Sequence, residues 1–221
     1  MEPKLGVLVT ARNEADRLGT TLAALRAAFP DARIVVADDA STDSTAHVAR
    51  SGGAEVVCAP RRLGKGGAAT LGARRLLEAP TVLLCDGDLG ASAGALAALL
   101  EALERDEGDL AVAVFARRAG GGFGLALGAA RLVIRSRTGL EPAAPISGQR
   151  AMRADVLRAV LPFAPRFGME TAMTIDAHRA GFRLAEVEVE LEHRATGRTA
   201  AGFRHRAHQL ADIARVYASR R

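Results

Sequence analysis

The chain of 221 residues contains no tryptophan and a single tyrosine, Tyr217. It therefore lacks the aromatic platforms on which the bases of single-stranded nucleic acids stack. Its basic residues are dispersed and form no recognised nucleic-acid module, so no nucleic-acid partner is expected. Cysteine is nearly absent. Cys58 and Cys85 lie in apolar, strand-like segments without C-x-x-C spacing. That argues against a disulfide framework or a cysteine zinc site and predicts two inert, buried thiols. No apolar run approaches the ~20 residues of a membrane span. The first residues lack the basic, apolar and cleavage regions of a signal peptide, which predicts a cytoplasmic protein. Lysine is the rarest charged residue: Lys4 and Lys65 stand among 30 basic residues. Arginine does the general surface work here, so a lysine inside a glycine-rich loop points to a specific role. The net charge of +5 suits anionic partners.

What is present is an alternation of short apolar strands and helical patterns. Residues 5–9, 33–37, 54–58, 81–85 and 110–115 read as strands. Helical spacing falls between them, over residues 15–29, from Ser41 or Thr42 to Arg50, over 66–78, and from a Ser92 cap to Arg105. This order predicts an α/β fold with a mostly parallel sheet and helices on both faces. The second half is less regular. Residues 123–138 and 168–180 read as helices. Residues 182–193 alternate, with Val187, Val189 and Leu191 opposite Glu186, Glu188, Glu190 and Glu192, as a half-exposed strand does. Residues 201–221 read as a basic helix with an apolar stripe. One domain is expected, with a nucleotide-binding half (1–90), an acceptor half (91–200) and the C-terminal helix.

The chemistry concentrates at strand ends. Asp86-Gly87-Asp88 follows the fourth strand, at the carboxyl edge where open α/β sheets bind ligands. Carboxylate oxygens suit Mg²⁺ or Mn²⁺, and such an ion would hold a nucleotide diphosphate. An Asx-type turn is the plainer alternative. Thr10-Ala11-Arg12-Asn13-Glu14 and Asp38-Asp39-Ala40-Ser41-Thr42-Asp43 end the first two strands, beside helix N-termini that offer free N–H donors. Asn13 and Asp43 are also simple helix-cap candidates. Asp38, half-buried at the sheet edge, needs a hydrogen-bond partner and could accept a pyrimidine N–H. Arg61-Arg62-Leu63-Gly64-Lys65-Gly66-Gly67 joins cations to close backbone approach. It is not a P-loop, and a plain surface loop is the alternative.

Taken in order and spacing, these four segments resemble the family 2-type glycosyltransferases with the GT-A fold. Ser147-Gly148-Gln149-Arg150-Ala151-Met152 resembles a segment of the polyprenyl-phosphate sugar synthases, the dolichol-phosphate mannose synthase group. Residues 161–170 and Glu192-His193-Arg194 look more like glucosyl-3-phosphoglycerate synthases. The resemblance implies a nucleotide site at Thr10, Ala11, Arg12, Glu14, Asp38, Lys65, Asp86 and Gly87. Asp38 would face uracil, and Asp86 the ribose or a metal-bound water. It implies metal ligation by Asp88, with His193 and Asp86, and places catalytic Glu170 near the acceptor. The chain departs from the family at Thr10 (usually Pro), Ala40 (usually Gly), Gln149 and Ala195.

The resulting expectation is a hexosyltransferase using Mg²⁺ or Mn²⁺. It would move glucose, mannose or GlcNAc from a nucleotide-sugar, UDP-linked rather than GDP-linked. The acceptor would be a polyprenyl phosphate or a small phospho-acid. Arg117, Arg118, Arg150 and Arg166 are candidate anion clamps. The C-terminal helix is a candidate peripheral membrane contact, and a homodimer is compatible. The competing readings are a sugar-phosphate nucleotidyltransferase and a non-catalytic nucleotide-binding protein. The former needs a glycine-rich loop after the first strand, where this chain has Thr10-Ala11-Arg12-Asn13.

Overall fold

The computed structural model describes residues 4–115, 124–191 and 200–220, with side chains over 200–208 excepted. The elements run β1 (Leu5–Ala11), α1 (Leu18–Ala28), β2 (Arg33–Asp38), α2 (Thr45–Ser51), β3 (Glu55–Cys58), α3 (Lys65–Ala73), β4 (Thr81–Asp86) and α4 (Ala97–Glu104). They continue as β5 (Leu110–Phe115), α5 (Gly124–Thr138), β6 (Arg150–Arg153), α6 (Ala154–Val160), α7 (Met169–Arg179), β7 (Leu184–Val189) and α8 (Ala200–Ser219). One seven-stranded sheet has the order β3-β2-β1-β4-β6-β5-β7. Every pair is parallel except those made by β6, which runs antiparallel to β4 and to β5.

The expected α/β architecture is present, and strand parity assigns its layers. Val7, Val9, Ile34 and Val36 face one side, in a core with Leu18, Leu22 and Leu25 of α1 and Leu99 of α4. Leu8, Val35, Ala37 and Leu84 face the other, with Ala68 and Ala69 of α3, Leu157 of α6 and Met173 of α7. A third cluster joins α5, α7 and α8 through Ala130, Ile134, Ile175, Ile213 and Val216.

The composition of α3 positions the site. Its sequence, KGGAATLGA, is poor in intrinsic helix preference, but it lets the helix lie close on the sheet. A Cβ on Gly72 would come within 2.5 Å of Leu8 Cδ1, and one on Gly66 within 1.8 Å of the Ala164 carbonyl. The first residue of this closely packed helix is Lys65.

Several expectations change. Ser41 and Thr42 do not start α2. Its N-cap is Ser44, and Asp43 accepts the N–H of Thr45. Ser92 caps no helix: it lies within a 3-10 segment, Gly90–Leu96, and donates to the Leu89 carbonyl. The strand β6 is absent from the sequence reading, because four residues are too short to show a period. Of the two thiols, only Cys85 is buried; Cys58, at the end of the edge strand β3, is exposed. The described apolar side of α8 is covered by protein, since Ile213 and Val216 are buried. Among the described residues, no helix is long and apolar enough to cross a membrane.

Candidate active site

The carboxyl ends of β1, β2 and β4 open into a cavity of about 570 Å³, within the range of small-molecule sites. Its lining includes Thr10, Ala11, Arg12 and Glu14 after β1, Asp39 after β2, and Asp86, Gly87 and Asp88 from the end of β4 onward. Arg62, Gly64 and Lys65 close one side, and Arg166 and Phe167 another. Four cations and four carboxylates thus share one cleft.

The first two loops are tied to each other. Asn13 Oδ1 accepts the Thr42 N–H at 2.9 Å, and Ser41 Oγ accepts the Asn13 N–H at 3.0 Å. Thr45 Oγ1 accepts the Glu14 N–H at 2.9 Å. Asn13 therefore caps no helix of its own. It joins two loops that the parallel pairing of β1 with β2 sets side by side. Asn13 and Ala40 both have left-handed backbones, at φ 55° and 53°. At Ala40 the side chain disfavours that region, and glycine would not.

Parity separates Asp38 from Asp39. Asp38 is turned like Ile34 and Val36, is buried, and accepts the Ser41 hydroxyl and N–H. Asp39 is turned like Ala37, toward α3 and the cavity. It accepts the N–H groups of Leu63 at 2.6 Å and Gly64 at 3.0 Å, which fastens the glycine-rich loop. The alternation of the strand was the signal that could have picked out Asp39.

Lys65 is the centre of the site. Its Nζ lies 2.7 Å from Asp86 Oδ1 and 2.8 Å from Glu170 Oε1. Asp86 also accepts from Thr10 Oγ1 at 3.0 Å and Gln149 Nε2 at 3.2 Å. Burial pulls the Lys65 ammonium down, but the charges of Asp86 and Glu170 outweigh it and raise its pKa. Burial likewise pushes the Asp86 carboxyl up, and the Lys65 charge more than reverses this. The ion pairs thus keep both partners charged at neutral pH. Glu170 stands in the first turn of α7, is buried, and meets the cavity through Lys65.

Gly148 explains its own segment. A Cβ there would sit 2.3 Å from Lys65 Nζ and 2.9 Å from Asp86 Oδ2. Arg150 is not an anion clamp, contrary to the sequence expectation. It is 1% exposed and donates to the Ser147 carbonyl at 2.8 Å and Thr174 Oγ1 at 3.0 Å. Burial lowers its pKa to about 10, against the pull of Glu170 and Glu186. Its role is to fasten the turn before β6 to α7. Arg166 does line the cavity, as expected of a clamp, and Arg12 lines it with a buried Nε that makes no hydrogen bond. His193, Arg117, Arg118 and Ala195 lie outside the described residues.

Asp86 and Asp88 both line the cavity; Asp86 meets Lys65, Thr10 and Gln149, and the Asp88 carbonyl accepts from Arg17 at 3.1 Å. Among the described residues, no three His, Cys, Asp or Glu side chains form a metal-binding group.

The chain as a whole is similar to known proteins. The description "Glycosyl transferase family 2" covers residues 6–160. The chain is 32% identical over 208 residues to an undecaprenyl-phosphate mannosyltransferase of Micrococcus luteus, covering 86% of this chain and 84% of that protein. It is also similar to the crystal structure of Mycobacterium tuberculosis glucosyl-3-phosphoglycerate synthase in complex with Mn²⁺, UDP-glucose and phosphoglyceric acid. That likeness has a TM-score of 0.79 and 26% identity, over 99% of this chain and 80% of that one. The same enzyme with Mg²⁺ and UDP shares the fold, at a TM-score of 0.81 and 24% identity over 99% and 79%. The sheet is therefore that of the GT-A glycosyltransferases. With the match spanning β1 to α6 and every strand-end loop of the cavity, the chain belongs to glycosyl transferase family 2.

Proposed function

We propose that this glycosyltransferase moves a hexose from a UDP-sugar to a phosphorylated acceptor in a metal-dependent reaction, and that the acceptor is a polyprenyl phosphate. The observation that carries the reading is the cavity at the carboxyl ends of β1, β2 and β4. There Arg12, Arg62, Lys65 and Arg166 face the same space as Asp88. Cations in that number suit a ligand with several phosphate charges.

The residues present fit a divalent ion. Mg²⁺ is commonly held by one or two carboxylates together with substrate phosphates and water, so a three-ligand protein cluster is not required. Asp88 would hold it, with His193 the second candidate; Asp86, committed to Lys65, would orient that lysine instead. When bound, the ion would neutralise charge developing on the leaving diphosphate. Lys65 keeps Asp86 and Glu170 from repelling the donor, and Thr10 and Gln149 hold Asp86 in place for it. Arg12, with its unpartnered Nε, supplies a ready donor to a phosphate oxygen.

The lipid acceptor draws support from the Micrococcus luteus relative, whose name specifies undecaprenyl phosphate. Leu125 and Leu132, on one side of α5, are 79% and 67% exposed, and an apolar stripe of that kind suits contact with a membrane surface. A small phospho-acid is the second reading, favoured by the likeness to the phosphoglycerate enzyme. The test is a panel of UDP- and GDP-sugars with a short-chain polyprenyl phosphate or 3-phosphoglycerate, with and without Mn²⁺. Consumption of a UDP-sugar that needs Mn²⁺ and the polyprenyl phosphate is expected. Transfer without metal, or from GDP-sugars alone, contradicts the reading.

A further inference from the structure

The cavity wall opposite the first two loops contains a strained residue. Arg166 has φ 56°, a left-handed backbone that disfavours a residue with a Cβ and persists only where its surroundings hold it. On one side stands Gly64, where an added Cβ would come within 2.6 Å of Arg166 Cγ and 3.1 Å of its Cα. On the other side stands α8. Asp212 Oδ2 accepts the Phe167 N–H in a long contact of 3.4 Å. A Cβ on Gly168 would meet Val216 Cγ2 at 2.7 Å, so helix and wall are in tight contact.

Asp212 is 4% exposed and lies outside the cavity lining. Burying a carboxylate is costly unless its oxygens are bonded. This one is satisfied by the Phe167 amide and by Arg215, one turn along the helix. The helix is anchored independently of it. Arg220 forms a two-pronged bond with Asp176 of α7, at 2.7 and 2.6 Å, and Arg137 of α5 lies 4.0 Å over the Tyr217 ring. A fixed helix thus presents a buried carboxylate to the peptide next to the strained cation.

We propose that Asp212 is a positioning residue: from α8 it holds the Arg166–Phe167 wall so that the Arg166 guanidinium meets a phosphate group of a bound substrate. The inference rests on the phosphate-bearing substrates proposed above. α8 then serves the cleft from outside it, and its described apolar side is occupied in doing so.

The test is a double-substitution cycle on the full chain, with steady-state kinetics for donor and acceptor. Arg166→Ala identifies which substrate the arginine serves by raising its KM. Asp212→Ala is expected to raise that same KM roughly tenfold, the effect of one charge-assisted contact, with kcat changed less than about twofold, and Asp212→Asn, which keeps an accepting oxygen, to recover most of it. In the Arg166→Ala background Asp212→Ala should add nothing. Gly168→Ala, which pushes the wall from Val216, should raise the same KM and serves if Asp212→Ala does not fold. Additive effects, a fall in kcat alone, or an Arg166→Ala variant with both KM values unchanged would overturn the proposal. A wild-type protein that turns over no UDP-sugar would sink the functional reading instead.

Discussion

The strand-end loops after β1 and β2 and the centre around Lys65 are both polar, and they are built differently. Where Asn13 meets Ser41 and Thr42, neutral side chains and backbone amides exchange hydrogen bonds largely in contact with solvent, and the buried Asp38 and Asp39 beside them accept from hydroxyl and backbone N–H groups rather than from a cation. Around Lys65, full charges meet with little solvent: Lys65 joins Asp86 of β4 to Glu170 of α7, and Gln149 and Gly148 close over them. Bonds of the first kind net about 0.5–1.5 kcal/mol each and can be remade with water. The second kind is held by mutual neutralisation, and removing one partner strands the others. The loops therefore tolerate change, and the centre does not.

The sharpest contrast comes from Lys65→Met. It leaves Asp86 and Glu170 facing each other without their cation, at an expected cost of about 3 kcal/mol, as for a broken buried ion pair. Urea unfolding measures it, and a loss below about 1 kcal/mol would erase the distinction between the regions. Gly148→Ala comes next. The added methyl overlaps Lys65 Nζ, which is pinned by two carboxylates and cannot swing aside without losing one. The expected cost is about 2 kcal/mol, typical of overpacking, with loss of transferase activity beyond what stability explains. Ala40→Gly tests the loops in the opposite direction. Relief of the left-handed alanine should exceed the added freedom of the unfolded chain, and stabilise by about 0.5 kcal/mol.

The smallest effect lies at the far end of the sheet. The Arg183 amide, bonded to Asp109 at 2.9 Å, holds that carboxyl below its usual value. A carboxyl lowered in the folded state adds stability that is present above its unfolded pKa and is lost as pH falls through the folded one. Asp109→Asn should therefore lower stability slightly at neutral pH and flatten the acid limb below about pH 5, the two proteins converging once the carboxyl is protonated. An unaltered acid limb would show that Asp109 contributes nothing there.

The same contrast explains what could be read in the sequence. Strands and helices of the first half alternate at short spacing, so order alone sets Thr10, Glu14 and Asp86 at one sheet edge. Parallel pairing then brings such ends together whatever the details of packing. Strand parity carried past Ala37 sets Asp39 in the cavity lining and turns the buried Asp38 away from it. In the second half the partners of Lys65 and Asp86 arrive from 63 residues or more along the chain: Gln149 is that far from Asp86, and Glu170 lies beyond it. No local period encodes such meetings. The sequence offers Arg150 as an anion clamp, because burial of an arginine is visible only once β6 is seated between β4 and β5. The rarity of lysine is the one compositional clue that singles out Lys65, and it does not name Asp86 and Glu170 as its partners.

In the proposed reaction, Asp88 brings a divalent ion to the diphosphate in this cleft. Calorimetric titration of UDP with and without Mn²⁺, on wild type and Asp88→Ala, tests it most directly. Wild type should bind UDP at least about tenfold more tightly with Mn²⁺ than without, and Asp88→Ala should bind equally weakly in both. Binding indifferent to Mn²⁺ in the wild type, or an Asp88→Ala protein that keeps the metal dependence, would contradict the account.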